Sequence, residues 1–217
     1  MKKLLIFGEG PSLPRLIHEI ERSALYDIVG IVVPHATAPA RNNIPLYTLE
    51  TLPAFDRQEV SAFIVGDEQH LNQQRLAAYM EVKRMGYAIT AICSAGASIA
   101  DGLKLRENVF IDHGARVLAD ANIGANTWIM QGAEIDADTK IGSSCWIGAQ
   151  CIISAGATLG KNCTLGGHRP WRGIASLVYY PCANHADCIA THDDFSGCPL
   201  SGTGVFFPKM MPFPATR

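Results

Sequence analysis

Aliphatic residues recur at every sixth position through the middle of the chain: Ile99, Leu105, Ile111, Val117, Ile123, Ile129, Ile135, Ile141, Ile147, Ile153, Leu159 and Leu165. A helix repeats its apolar face about every 3.6 residues and a half-buried strand every second one, so a period of six requires a repeat architecture. The fifth hexapeptide position is small or β-branched in most repeats, as at Ala115, Thr127, Ala133, Cys145, Cys151 and Cys163, so both positions point inward. The fourth holds Gly102, Asn108, Gly114, Asp120, Asn126, Gly132, Asp138, Ser144, Gln150, Gly156 and Asn162. These are mostly residue types that accept a left-handed backbone at low cost. A corner every six residues closes a triangular coil of eighteen, and that register is visible where Ile123-Gly-Ala-Asn-Thr-Trp128 recurs as Ile141-Gly-Ser-Ser-Cys-Trp146. The pattern predicts a left-handed parallel β-helix over residues 93–168, with a continuous aliphatic column inside.

Residues 1–92 follow a different rule. Apolar runs such as Lys3-Leu-Leu-Ile-Phe7, Asp27-Ile-Val-Gly-Ile31 and Ser61-Ala-Phe-Ile-Val-Gly66 alternate with helical stretches around Leu13–Arg22 and Asn72–Gly86. That alternation predicts a small parallel sheet flanked by helices, an α/β domain ahead of the all-β coils. The Gly8-Glu9-Gly10 turn resembles the start of a dinucleotide fingerprint, in which backbone amides at a helix N-terminus meet phosphate; Pro11, Ser12 and Leu13 stand where the third glycine belongs.

Phe110, Trp128 and Trp146 are eighteen apart at the outward sixth position of one prism face. An aromatic stripe is rarely left in water, so it predicts a subunit interface or a platform for a flat ligand, and its run along the prism axis favours a three-fold homo-oligomer. From His168 the hexapeptide rule fails. Residues 169–217 read as an irregular cap or tail, or as an out-of-frame ending, since a one-base shift around Trp171 restores a Leu-Gly hexapeptide.

A net charge of −2 gives no sign of a nucleic-acid or acidic-lipid partner. No apolar run reaches the roughly 20 residues of a membrane helix. Seven cysteines, three of them at inward repeat positions, read as reduced thiols of a cytoplasmic protein. Cys182, His185, Cys188, His192 and Cys198 lie close together but match no common zinc spacing, so no metal is expected.

Gly8-Glu9-Gly10, Asp27–Ile31, Ile64-Val-Gly-Asp67 with Arg75, Gly86-Tyr87 and the hexapeptide run together resemble the nucleotide-sugar acyltransferases that include sialic acid O-acetyltransferases and bacillosamine-type sugar N-acetyltransferases. The resemblance spans residues 1–167. It implies a Rossmann-like first domain that binds a nucleotide-linked sugar around Gly8, Gly10, Gly66 and Asp67. It also implies acetyl-coenzyme A as acyl donor, lying along the β-helix between subunits of a trimer.

Two departures bear on activity. Pro34 and His35 stand where the family carries an acidic residue that contacts the nucleotide base. Ala137, within Ile129-Met-Gln-Gly-Ala-Glu-Ile-Asp-Ala-Asp138, takes the place of the family's catalytic histidine. Acyl transfer needs a base, worth about 10²- to 10⁴-fold in rate, and alanine supplies none. The remaining candidates are His113, beside Asp112, and His168, with Asp138 on the family's catalytic face as a group that could hold a substrate amine. The resemblance implies acyl transfer from acetyl-coenzyme A to a sugar. The alternative is an inactive scaffold or nucleotide-sugar-binding subunit.

Overall fold

The computed structural model describes residues 1–35, 38–53, 55–66, 73–166, 177–181 and 187–189. The first part runs β1 (Lys2–Phe7), α1 (Leu13–Ser23), β2 (Tyr26–Val32), β3 (Ala40–Arg41), β4 (Ile44–Tyr47), β5 (Val60–Ile64), α2 (Gln73–Arg84) and β6 (Ala88–Ile89). Its six strands form one sheet of order β3-β4-β2-β1-β5-β6, parallel except for the β3–β4 pair at one edge.

The continuous apolar run of β1 reflects its central place, buried on both faces. Leu4 and Ile6 pack with Leu13, Leu16, Ile17 and Ile20 of α1. Leu5 and Phe7, pointing the other way, pack with Tyr79 and Val82 of α2. The apolar stripe of α1 follows the spacing expected for one buried helical face. Its end is set by Ala24, which takes a left-handed φ of 51° as its N–H reaches the carbonyl of Glu21.

The second part is a three-sided prism of two-residue strands. Its first face stacks β7 (Ile92–Cys93), β9 (Phe110–Ile111), β12 (Trp128–Ile129), β15 (Trp146–Ile147) and β18 (Thr164–Gly166). The second stacks β8 (Ser98–Ile99), β10 (Arg116–Val117), β13 (Glu134–Ile135) and β16 (Ile152–Ile153), and the third β11 (Asn122–Ile123), β14 (Lys140–Ile141) and β17 (Thr158–Leu159). All these pairings are parallel and in eighteen-residue register, as in Trp128↔Trp146 and Ile123↔Ile141.

Every fourth-position residue named above has positive φ, from 53° at Asn108 to 79° at Gly102. The predicted aliphatic column is the core, and it begins one hexapeptide earlier than Ile99, with Cys93 packed against it. After β18 the chain reverses into β19 (Leu177–Pro181) and β20 (Asp187–Ile189), which continue the first face antiparallel. The rest of 169–217, with Cys182, His185, His192 and Cys198, lies outside the described residues. No helix among the described residues is long and apolar enough to cross a membrane.

The closest backbone-to-backbone packing between coils falls where Gly124 meets Gly142 and Gly142 meets Gly160. A Cβ on Gly142 would stand 2.5 Å from the backbone C and O of Gly160, and one on Gly124 2.4 Å from the backbone of Gly142 and Ser143. Backbone cannot swing aside as a side chain can. Gly142→Ala is expected to cost about 1–3 kcal/mol, read as a lowered thermal midpoint, whereas Ala substituted for the exposed Lys161 leaves the midpoint within error.

The aromatic stripe requires a correction. Trp128, Phe110 and Trp146 are 0%, 1% and 3% exposed, covered by α1, β1 and β5 of the same chain. The Phe110 and Trp128 ring centroids are 4.9 Å apart, the two indoles stack at 5.6 Å and 16°, and Phe63 lies 5.8 Å from Trp128. Periodicity predicts correctly that these rings leave the prism. What they meet is the chain's own N-terminal sheet and helix α1, so they are not free to join subunits or to carry a ligand.

Candidate functional site

From β1 the chain passes through α1 to β2 on one side, while β5 pairs with β1 on the other. The carboxyl ends of β1 and β5 therefore flank the point where strand order diverges, the usual crevice of an open parallel sheet. Gly8 stands there with φ of 103°; its N–H donates to Val32 O at 2.8 Å, and a Cβ would sit 2.9 Å from Val65 O. Gly10, at φ 154°, accepts the N–H of Leu13 at 3.1 Å as α1 begins. The side chain of Ser12 makes no capping hydrogen bond to the helix.

Gly66 has another task. A Cβ there would lie 2.7 Å from Cβ of Arg75, so its bareness admits the arginine stem. Asp67 lies outside the described residues.

Arg75, on α2, is 1% exposed. Its Nη2 donates to the carbonyls of Asn126 and Cys145 at 3.1 and 3.0 Å, and its guanidinium lies 5.5 and 5.7 Å from the ring centres of Trp128 and Trp146. Beside it runs a ladder of buried corner side chains eighteen residues apart. Asn108 accepts the N–H of Ile64 at 2.8 Å and donates to Ile64 O and to Asn126, and Asn126 donates to Ser144. Further along α2, hydrogen bonds from Lys83 and Tyr79 hold the Glu107 carboxyl below its usual range.

His113 sits at the corner between the first and second faces. Asp112 is fully buried beside it; one carboxylate oxygen accepts the backbone N–H of His113 at 2.7 Å and the other pairs with Arg15 Nε at 2.7 Å. Arg15 also donates to Gln131, one coil on, at 2.9 Å. Nearby Glu19 of α1 is held by Ser94 and Arg22. Helix α1 is thus pinned to three successive coils at this corner.

Ala137 and Asp138 occupy the next corner, between the second and third faces. Asp138 is exposed at φ 57°, with its N–H on Ala119 O at 3.1 Å, and Ala137 O accepts the N–H of Gly156. His113 and Ala137 therefore stand on opposite edges of one face, one coil apart, and the chain does not bring them together. Nor does it join Gly8 and Gly10 to Asp138. His168 lies outside the described residues.

The thiols of Cys93 and Cys151 are pushed up to about 11 by burial, and that of Cys145 is raised by its contact with Cys163 and by burial. They fill the prism wall as neutral groups.

Residues 138–168 match the bacterial transferase hexapeptide family (six repeats). No curated protein sequence matches the chain. A histidine-to-asparagine variant of perosamine N-acetyltransferase from Caulobacter crescentus, in complex with CoA and GDP-perosamine, is similar in structure at TM-score 0.55 and 23% identity, over 77% of this chain and 84% of that one. The acetyltransferase domain of PglB from Neisseria gonorrhoeae is similar at TM-score 0.51 and 15% identity, over 77% and 89%. WeeI from Acinetobacter baumannii reaches 0.56 at 12% identity, over 82% and 100%. The chain thus carries the hexapeptide repeat of bacterial transferases and, over more than three quarters of its length, has the fold of these acetyltransferases.

Proposed function

We propose that this protein transfers an acetyl or similar acyl group from coenzyme A to a nucleotide-linked sugar, in the cytoplasm, during polysaccharide or glycoconjugate synthesis. The observation that carries the reading is the extent of the likeness. It covers 77% of this chain in a neighbour that holds both CoA and GDP-perosamine, far more than the coils alone would account for.

In the reaction, an acceptor amine or hydroxyl attacks the thioester carbonyl. A C–N or C–O bond forms, the C–S bond breaks, and the proton leaves the acceptor as coenzyme A departs as its thiol. The first domain acts as a Rossmann-like nucleotide site around Gly8, Gly10, Gly66 and Asp67, His113 and His168 serve the reacting atoms, and Asp138 holds a substrate amine. A homotrimer remains part of this reading, assembled through the second and third prism faces because the first is covered.

Thiol release from acetyl-coenzyme A, measured with a panel of nucleotide-linked amino sugars, tests it. Release that depends on one of those acceptors is expected. Acceptor binding by calorimetry without any thiol release would instead establish the binding-subunit reading, which Ala137 favours.

A further inference from the structure

The corner that carries His113 fixes which of its ring nitrogens can hold a proton. The imidazole lies against Gly96: a methyl group there would stand 2.0 Å from Nδ1 and 2.2 Å from Cε1. Only glycine leaves room for the ring. In that place Nδ1 is buried and has no hydrogen-bond partner among the described residues, whereas Nε2 is not enclosed. The adjacent acid does not reach the ring, because Asp112 spends one oxygen on the backbone N–H of His113 and the other on Arg15. Gln131, the next residue in the corner column, is engaged by the same arginine.

A neutral imidazole carries one N–H and one bare lone pair. Were the proton on Nδ1, a buried N–H would face no acceptor, a condition folded proteins tolerate less readily than an unmatched lone pair. The outward nitrogen then keeps the hydrogen. A general base at this corner would need the opposite arrangement, with Nδ1–H satisfied by an acceptor and a lone pair presented at Nε2.

We propose that His113 is held as the Nε2–H tautomer and works as a hydrogen-bond donor to an oxygen of the bound substrate, not as the proton acceptor. The substrate half of this inference rests on the acyl-transfer reading; the tautomer does not. Arg15 and Asp112 are positioning residues that hold the corner backbone, and Gly96 supplies the niche. Proton removal then falls to a group other than His113, with His168 the remaining candidate histidine.

Long-range ¹H–¹⁵N correlation spectra of the full-length protein, with His113 assigned by its loss in H113Q, read the tautomer directly. A nitrogen shift typical of an unprotonated Nδ1 and a protonated Nε2 is expected. A protonated Nδ1 at neutral pH overturns the proposal. G96A, which puts a methyl group into the niche, is expected to move the His113 ring signals while distant histidines stay in place.

Kinetics supply the second arm. The amide nitrogen of glutamine reaches the place of Nε2, so H113Q should lose less than H113A, whose loss is about tenfold, the usual weight of one hydrogen bond, with the pH profile of both variants that of the parent. Equal losses of about 10² or more in both variants, with an altered acid limb of the profile, would make His113 the base and sink the donor role. Should the unmodified protein release no thiol with any acceptor, the acyl-transfer reading falls and with it the substrate contact, while the spectra still decide the tautomer.

Discussion

Arg75→Ala is expected to unfold the protein at a midpoint corresponding to a loss of about 3–5 kcal/mol, with a red shift of tryptophan emission before the main transition. The size follows from what the guanidinium does. It is buried between α2 and the prism, satisfies two backbone carbonyls of consecutive prism coils, and lies over the stacked indoles of Trp128 and Trp146. Truncation takes the arginine donor from Asn126 O, leaves Cys145 O with the N–H of Trp128 alone, and opens a void that the bare backbone at Gly66 cannot fill.

Arg75→Lys should recover only part of the loss, because an ammonium cannot lie flat on an indole and donate in a fixed plane at once. Arg75→Met keeps the volume, and so separates packing from hydrogen bonding. Two of the three tryptophans in the chain sit in this contact, which makes emission a local reporter. A midpoint and spectrum unchanged in Arg75→Ala would show that the arginine does not join α2 to the prism.

Much of the prism was legible because its constraints are local. A column that must stay dry repeats aliphatic residues at fixed spacing, and a corner that needs positive φ selects Gly, Asn and Asp, so Ile99 to Leu165 and all eleven corner residues could be placed from sequence. The alternation of β1, α1 and β2 was equally plain.

The surroundings of an outward side chain were not. Trp128 leaves the prism whether it meets water, a second subunit or the chain's own sheet, and periodicity carries no information about which. Asp112 adjoins His113 in sequence, which says nothing of what its carboxylate meets. Its actual partners are a backbone amide and Arg15, an arginine from a helix that precedes the whole repeat. Arg75 was visible only as a match to a family pattern, and nothing in its helical neighbours marks it as buried.

The asparagine corners held one unread signal. Asn108, Asn126 and Ser144 are neutral, short and polar at one corner, whereas the corner column of Asp120 and Asp138 is acidic and exposed. A column of uncharged hydrogen-bonding side chains beside an aromatic column is what a buried seam needs, since each amide can pass a hydrogen bond to the next without carrying charge into the interior.

That seam carries the second large effect. The strand partner of β5, β6, pairs with Ser61 and Ala62 and stops, so the N–H and C=O of Ile64 on that side have no strand to meet. Asn108 takes both, at 2.8 and 3.1 Å, from a backbone held at φ 53°. Asn108→Ala removes both hydrogen bonds to Ile64 and the one donated to Asn126, leaves buried backbone groups unmatched, and forces a Cβ residue without a local hydrogen bond into the left-handed region. Together these cost about 3–5 kcal/mol.

Asn108→Gly isolates the two causes, because glycine accepts the backbone at no penalty and only the hydrogen bonds are lost; it should fall about 1–2 kcal/mol short of the alanine effect. Asn162→Gly, at φ 58° on the last corner of the same column, serves as the control and should leave stability nearly unchanged. Hydrogen exchange at the Ile64 amide locates the damage: in Asn108→Gly that amide should lose protection while Leu5 and Ile6, in the middle of β1, keep theirs. If Ile64 remains protected as in the parent, the corner is a turn former only, and the hold of the prism on the end of β5, beside the Gly8 crevice, must come from Arg75 and from the packing of Phe63 on Phe110 and Trp128.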